Sequence, residues 1–125
     1  MPGDTYTILV AEDELNTQQL YREELTEAGY EVIVVGNGLE VMFNLETEKV
    51  DLLITDSSMP LMDAFDMIAQ VRRKYPELPI VAITGHHNEE EYLSRGLKLR
   101  AYFHKPVQMS EVKKTILRIR QGSQS

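Results

Sequence analysis

The sequence predicts an α/β domain whose strands and helices alternate around a parallel sheet, and three observations carry that prediction. Short β-branched runs recur along the chain, separated by longer segments of helical period, which is the pattern of βα units. Three of those runs are nearly continuous in apolar residues, as strands covered on both faces must be. The length, 125 residues, suits one domain able to bury roughly two-thirds of its unfolded surface.

The first run, Tyr6 to Ala11 (YTILVA), is one of the continuous ones and reads as a central strand. From Glu14 to Ala28, the residues Thr17, Leu20, Tyr21, Leu25 and Ala28 recur at three- and four-residue steps opposite Gln18, Arg22, Glu23 and Glu27. That pattern is an amphipathic helix, and Gly29 suits the left-handed position that closes it. A second strand, Glu31 to Val35 (EVIVV), leads to a short helix from about Leu39 to Glu46. The third strand, Asp51 to Thr55 (DLLIT), is again continuous. It is followed by a helix from Ala64 to Tyr75 with a stripe of Phe65, Ile68 and Val71, stopped by Pro76. The fourth strand is Ile80 to Thr84 (IVAIT), and a mostly polar stretch from about Asn88 to Arg95 reads as the fourth helix. Ala101 to Phe103 (AYF) is the fifth strand. The last helix, Ser110 to about Gln121, buries Val112, Ile116 and Ile119 and turns Lys113, Lys114, Arg118 and Arg120 to water.

No internal repeat, low-complexity tract or interior linker interrupts this order, so one domain is expected over 1–125, with its core at about 6–121 and loose termini. With no cysteine, disulfides, thiolate metal sites and cysteine nucleophiles drop out, and a reducing compartment fits. No apolar run approaches the ~20 residues needed to cross a bilayer, and the start lacks the basic and apolar regions of a signal peptide. A cytoplasmic protein without membrane contact is expected. The formal charge of -7 repels phosphate backbones, which argues against direct nucleic-acid binding.

In an open parallel sheet, function collects at the carboxyl ends of the strands. Strand one ends in Glu12 and Asp13, strand three in Asp56 and strand four in Thr84, while Lys105 and Pro106 follow strand five. With the first and third strands adjacent, three carboxylates, a hydroxyl and an ammonium meet on one edge. Three acids that close raise one another's pKa unless a cation joins them. All-oxygen ligands favour Mg²⁺, which commonly shares its shell with phosphate oxygens. Lys105 would neutralise a phosphoryl group from another side, and the Thr84 hydroxyl would donate to it. Asp56 stands alone after a central strand and is the best nucleophile, whereas Glu12 and Asp13 form a pair suited to holding the ion.

The acidic pair Glu12-Asp13, the run Asp56-Ser57-Ser58-Met59-Pro60-Leu61-Met62-Asp63, Thr84, and Tyr102-Phe103-His104-Lys105-Pro106 resemble the response-regulator receiver domains of bacterial two-component systems, in family order and spacing. Each piece is weak alone, and together they are highly specific. The resemblance spans almost the whole chain and implies a flavodoxin-like, doubly wound (βα)₅ fold with strand order 2-1-3-4-5.

The resemblance also implies roles. Asp56 is the phosphoacceptor, Asp13 and Asp56 are direct Mg²⁺ ligands, Ser58 supplies a backbone carbonyl, and Glu12 acts through a metal-bound water. Thr84 and Lys105 sense the phosphoryl group, Tyr102 is an aromatic switch, and Lys105-Pro106 is a cis peptide. The phosphodonor is a phosphohistidine on a sensor kinase or phosphotransfer protein. A partner or output domain reads the face made by helix four, strand five and helix five. The expected chemistry is Mg²⁺-dependent self-phosphorylation and autodephosphorylation at Asp56. Two departures stand out: Ala64 replaces a usual glycine after Asp63, and Lys98-Leu99 replaces a usual Gly-Ala pair before strand five.

Plainer readings stand beside these. A lone aspartate after a strand is usually a turn or cap, Glu12-Asp13 would serve as a helix N-cap, and Lys105 would be a solvated lysine before a turn proline. His86 and His87 read as solvated loop residues, His104 as a surface residue, and Tyr102 on composition alone as a packed aromatic. An aspartyl-phosphate phosphatase is the enzymatic alternative, but its usual second acid two residues after the nucleophile is here Ser58. A flavin or nucleotide binder would need a Gly- or Ser/Thr-rich cradle that these loops lack.

Overall fold

A computed structural model of the chain describes residues 5–57, 63–85 and 96–122. In chain order the elements are β1 (Thr7–Ala11), α1 (Leu15–Glu27), β2 (Glu31–Val35), α2 (Gly38–Thr47) and β3 (Leu52–Asp56). They continue with α3 (Ala64–Lys74), β4 (Ile80–Thr84), β5 (Ala101–His104) and α4 (Met109–Gly122). The helix expected over Asn88 to Arg95 lies outside the described residues, so α4 is the last helix of the sequence reading.

The five strands form one parallel sheet in the order β2-β1-β3-β4-β5, as the resemblance implied. Strand alternation divides its side chains between two apolar layers. Leu9, Leu53, Ile80 and Ala82 pack with Val41 and Leu45 of α2 and Met67, Ile68 and Val71 of α3. Ile8, Val10, Leu52, Ile54, Val81 and Ile83 pack with Tyr21 and Leu25 of α1 and Val112, Ile116 and Ile119 of α4. Each fully buried Leu or Ile contributes about 1.5–3 kcal/mol, so these layers hold the strands, and hence their carboxyl ends, in place.

Local chemistry sets the helix ends. The Glu14 carboxylate accepts from Thr17 N at 2.7 Å, so Glu14, rather than Glu12 or Asp13, is the N-cap of α1. At the other end Gly29 has φ 99°, and the amides of Gly29 and Tyr30 donate to the carbonyls of Thr26 and Leu25, a Schellman closure. Asn37 caps α2 by accepting from Glu40 N, and Asp63 caps α3 by accepting from Phe65 N and Asp66 N. With Asp63 in that role, Ala64 opens α3 and is itself buried.

Several boundaries and faces differ from the sequence reading. The β3 ladder runs one residue further, because Asp56 pairs with Ile83 of β4, and Asp56 therefore ends the strand instead of following it. Leu20 and Ala28 are exposed, because Tyr21 and Leu25 alone point from α1 into the sheet. In α3 the buried stripe includes Ala64 and Met67, and Phe65 is only half-buried. Lys113 is ion-paired to Glu24 of α1 at 2.5 Å, and Arg120 lies over the rings of Tyr6 and Tyr30 at 5.2 and 5.8 Å, so neither simply faces water.

Candidate functional site

The carboxyl ends of β1 and β3 are adjacent, and the alternation that buries Val10 and Ile54 on the α1 side sends Glu12 and Asp56 to that same side. Both carboxylates are 2% exposed. They hydrogen-bond to each other. Burial is the largest influence on Glu12 and, with the hydrogen bond and charge of Asp56, pushes its carboxyl from 4.5 up to about 7. An N–H of Glu14 offsets part of this by donating to Glu12 Oε2 at 2.9 Å. The Glu12 backbone is fixed on both sides: its N–H donates to Val35 O at 2.9 Å, and its carbonyl accepts from Gln18 Nε2 at 2.5 Å.

Lys105 reaches the same point from β5. Its ammonium forms an ion pair with Asp56 Oδ2, and its backbone N–H donates to Thr84 O at 2.7 Å. Burial alone would lower the Lys105 pKa, but the hydrogen bond to Asp56 and the charges of Asp56, Glu12 and Asp13 raise it overall. Lys105 is therefore cationic at neutral pH. The Lys105-Pro106 peptide is cis.

Asp13 is exposed, and only its charge is felt at Lys105. Thr84 is fully buried at the end of β4, one residue beyond the Asp56 partner Ile83. Tyr102 is half-buried in the layer shared with α2 and α3, and its ring meets His104 edge-on at 5.1 Å. His104 is exposed. Ser58, His86 and His87 lie outside the described residues.

Two buried carboxylates in mutual contact with one lysine between them are under-neutralised, which is the donor chemistry a small divalent cation satisfies. Among the described residues no three acidic, imidazole or thiolate side chains converge tightly enough to enclose a metal. An ion there would take one or two carboxylates and fill its shell with water, as Mg²⁺ ordinarily does.

Two further side chains act on backbone carbonyls, Gln18 at the site and Arg72 at the opposite, amino-terminal edge of the sheet. Gln18 fixes the Glu12 carbonyl. Arg72 donates from Nη1 to Pro76 O at 3.1 Å and Leu78 O at 2.7 Å, and from Nη2 to Lys98 O at 2.5 Å. It thereby ties α3 to the segment where the usual Gly-Ala pair is replaced. Neither carries a local signal in the sequence, because every residue has a backbone carbonyl and spacing does not show which one a long side chain reaches.

Comparison with known proteins matches this arrangement. A family model described as the response regulator receiver domain matches residues 8–117. The alkaline phosphatase synthesis transcriptional regulatory protein PhoP of Bacillus subtilis is 35% identical over 116 residues, 89% of this chain and 48% of that protein. An uncharacterized 14.6 kDa protein of Leptolyngbya boryana is 38% identical over 84% of this chain and 82% of its own length. The chain spans about half of PhoP and 10% of sensor protein EvgS of Escherichia coli, to which it is 30% identical. Among solved structures, response regulator TrrA of Thermotoga maritima, in complex with Mg²⁺-BeF, is 29% identical with a TM-score of 0.83, covering 92% of this chain and 99% of that one. Chemotaxis response regulator CheY4 of Vibrio cholerae superposes with a TM-score of 0.83 at 25% identity, over 92% of this chain and 98% of that one. With its 2-1-3-4-5 parallel sheet and acids gathered at the edge of β1 and β3, the chain belongs to the response regulator receiver domains of two-component signal transduction.

Proposed function

We propose that Asp56 accepts a phosphoryl group from a phosphohistidine on a sensor kinase or phosphotransfer protein, and that the modified domain signals to an output domain or partner protein. The observation that carries this reading is the environment of Asp56: a buried carboxylate held by Lys105 on one side and by Glu12 on the other.

In the transfer, an Asp56 carboxylate oxygen bonds to phosphorus as the phosphorus–nitrogen bond to the donor imidazole breaks. The bonding pair returns to that nitrogen. An attacking carboxylate needs no general base. Lys105 sits where negative charge gathers on the phosphoryl oxygens and offsets it, and the Thr84 hydroxyl donates to one of them. Asp13 and Asp56, with the Ser58 carbonyl, would hold Mg²⁺, and Glu12 would bind one of its waters. When bound, the ion supplies charge neutralisation and a template for the phosphoryl oxygens. Water attacking the same phosphorus would return Asp56 to its carboxylate.

Phosphorylation places about two negative charges beside Lys105 and Thr84. Tyr102 shares its side of the sheet with Thr84, and the reading makes this pair the link to the surface around segment 88–95, β5 and α4. One receiver domain over 1–125 in the cytoplasm is the setting we infer. No helix among the described residues is long and apolar enough to cross a membrane.

The test is beryllofluoride, a mimic of the aspartyl phosphate, titrated with Mg²⁺ while backbone amide shifts are followed. Shifts around Asp56, Thr84 and Tyr102 should appear only when Mg²⁺ is present and vanish in Asp56→Asn. A wild-type protein indifferent to both ligands would mean the acidic cluster is structural.

A further inference from the structure

Tyr21 has a property that its place in the α1 apolar stripe does not require. The residue is 2% exposed and its ring packs with Ile8, Val10 and Ile54, yet its hydroxyl makes no hydrogen bond among the described residues. That hydroxyl is not fully enclosed and is open to water, a contact that phenylalanine could not make. Helical side chains lean toward their own N-terminus, and the N-terminus of α1 lies at Glu14, beside Glu12. The phenol therefore points along the layer from Val10 and Ile54 toward Glu12 and Asp56, which follow those residues on the same side of the sheet. It lines a cavity of about 290 Å³ together with Glu12, Thr17, Ile83 and Lys105.

We propose that Tyr21 is a positioning residue of the acid site: its O–H donates, through one water held in this cavity, to the Glu12 carboxylate and fixes the orientation Glu12 presents to Mg²⁺. The inference rests on the Mg²⁺ reading of the preceding section. The cavity is roomy enough for water, and the Tyr21, Glu12 and Lys105 side chains supply the two to four polar partners a buried water requires. Glu12 retains capacity for the bond: a carboxylate accepts at about four positions, and the Glu14 N–H and Asp56 account for only some of them. The phenol stays a neutral donor, because burial and then the charges of Glu12 and Asp56 hold its pKa well above the usual tyrosine range.

Mg²⁺ dissociation constants of the full chain, measured by calorimetry for wild type, Tyr21→Phe, Glu12→Gln and the double variant, test this. Tyr21→Phe should weaken Mg²⁺ binding about three- to tenfold, as loss of one water-mediated bond to a charged group would, while its urea midpoint stays close to that of wild type. In the Glu12→Gln background the same change should leave the Mg²⁺ constant unaltered, because the path runs through Glu12. Equal loss in both backgrounds, or none in either, overturns the proposal. Wild type that binds no Mg²⁺ would overturn the metal reading itself, an outcome recognisable without any variant.

Discussion

The buried acid pair makes a sharp prediction about stability and pH. Folding moves the Glu12 carboxyl from 4.5 to about 7, chiefly through burial and then through Asp56. A carboxyl whose pKa is raised by folding binds more protons in the native than in the unfolded state between those two pH values, so its contribution falls as pH rises through that window. Each pKa unit corresponds to about 1.4 kcal/mol, and the whole displacement is therefore worth about 3 kcal/mol, an order-of-magnitude figure. Glutamine cannot ionise and keeps the neutral form at every pH. With EDTA present to exclude divalent ions, the stability of Glu12→Gln relative to wild type should be near zero at pH 4.5 and climb toward about 3 kcal/mol by pH 8. Urea denaturation at half-unit pH steps provides the curves, and their difference cancels carboxylates common to both proteins. Parallel curves across the window would refute the reasoning, because they would mean that Glu12 ionises in the folded protein as it does in water.

Arg72→Leu should cost about 2–4 kcal/mol in urea unfolding, since several charge-assisted bonds to loop carbonyls vanish together and their losses do not simply add. Part of the loss is offset because the Arg72 Nε is buried without a partner. Gly29→Ala should cost about 1 kcal/mol by the same measurement. The surroundings of Gly29 are open and φ is +99°, so the cost is backbone strain alone, and an unchanged midpoint would contradict it.

The fold was legible because its strands are of two recognisable kinds. The β1, β3 and β4 strands are buried on both faces and read as unbroken apolar runs, while helices α3 and α4 carry strong apolar stripes. Leu20 misled because an apolar residue one position from the true stripe keeps the helical spacing while facing away from the sheet. At the site, Glu12, Asp56 and Lys105 were legible from the strand ends, because a parallel ladder brings residues at corresponding ends together. The burial difference between Glu12 and Asp13 was not, since adjacent residues on an extended segment face opposite ways and nothing in the pair Glu12-Asp13 says which face is covered. Tyr21 and Arg72 were hidden for a related reason. What matters in each is a polar atom at the end of a long side chain, and spacing along the chain reports only where that side chain begins.

Strand alternation also divides the site between the two faces of the sheet. Residues Glu12, Asp56 and Lys105 share parity with Val10, Ile54 and Phe103 and so belong to the α1 and α4 side, together with Tyr21. Thr84 and Tyr102 share parity with Ala82 and belong to the side of α2 and α3. In the proposed cycle a phosphoryl group on Asp56 would add its charge on the first side, at the edge where the neighbouring strand ends in Thr84. The strands that carry Asp56 and Thr84 are buried throughout, whereas every residue of β5 retains some exposure. An element with fewer buried contacts opens or shifts at lower free energy than the core strands do. In the proposed signalling cycle, the acid site is thus held rigid by β1 and β3 while β5, which carries Tyr102 and leads into Lys105, is the strand free to respond.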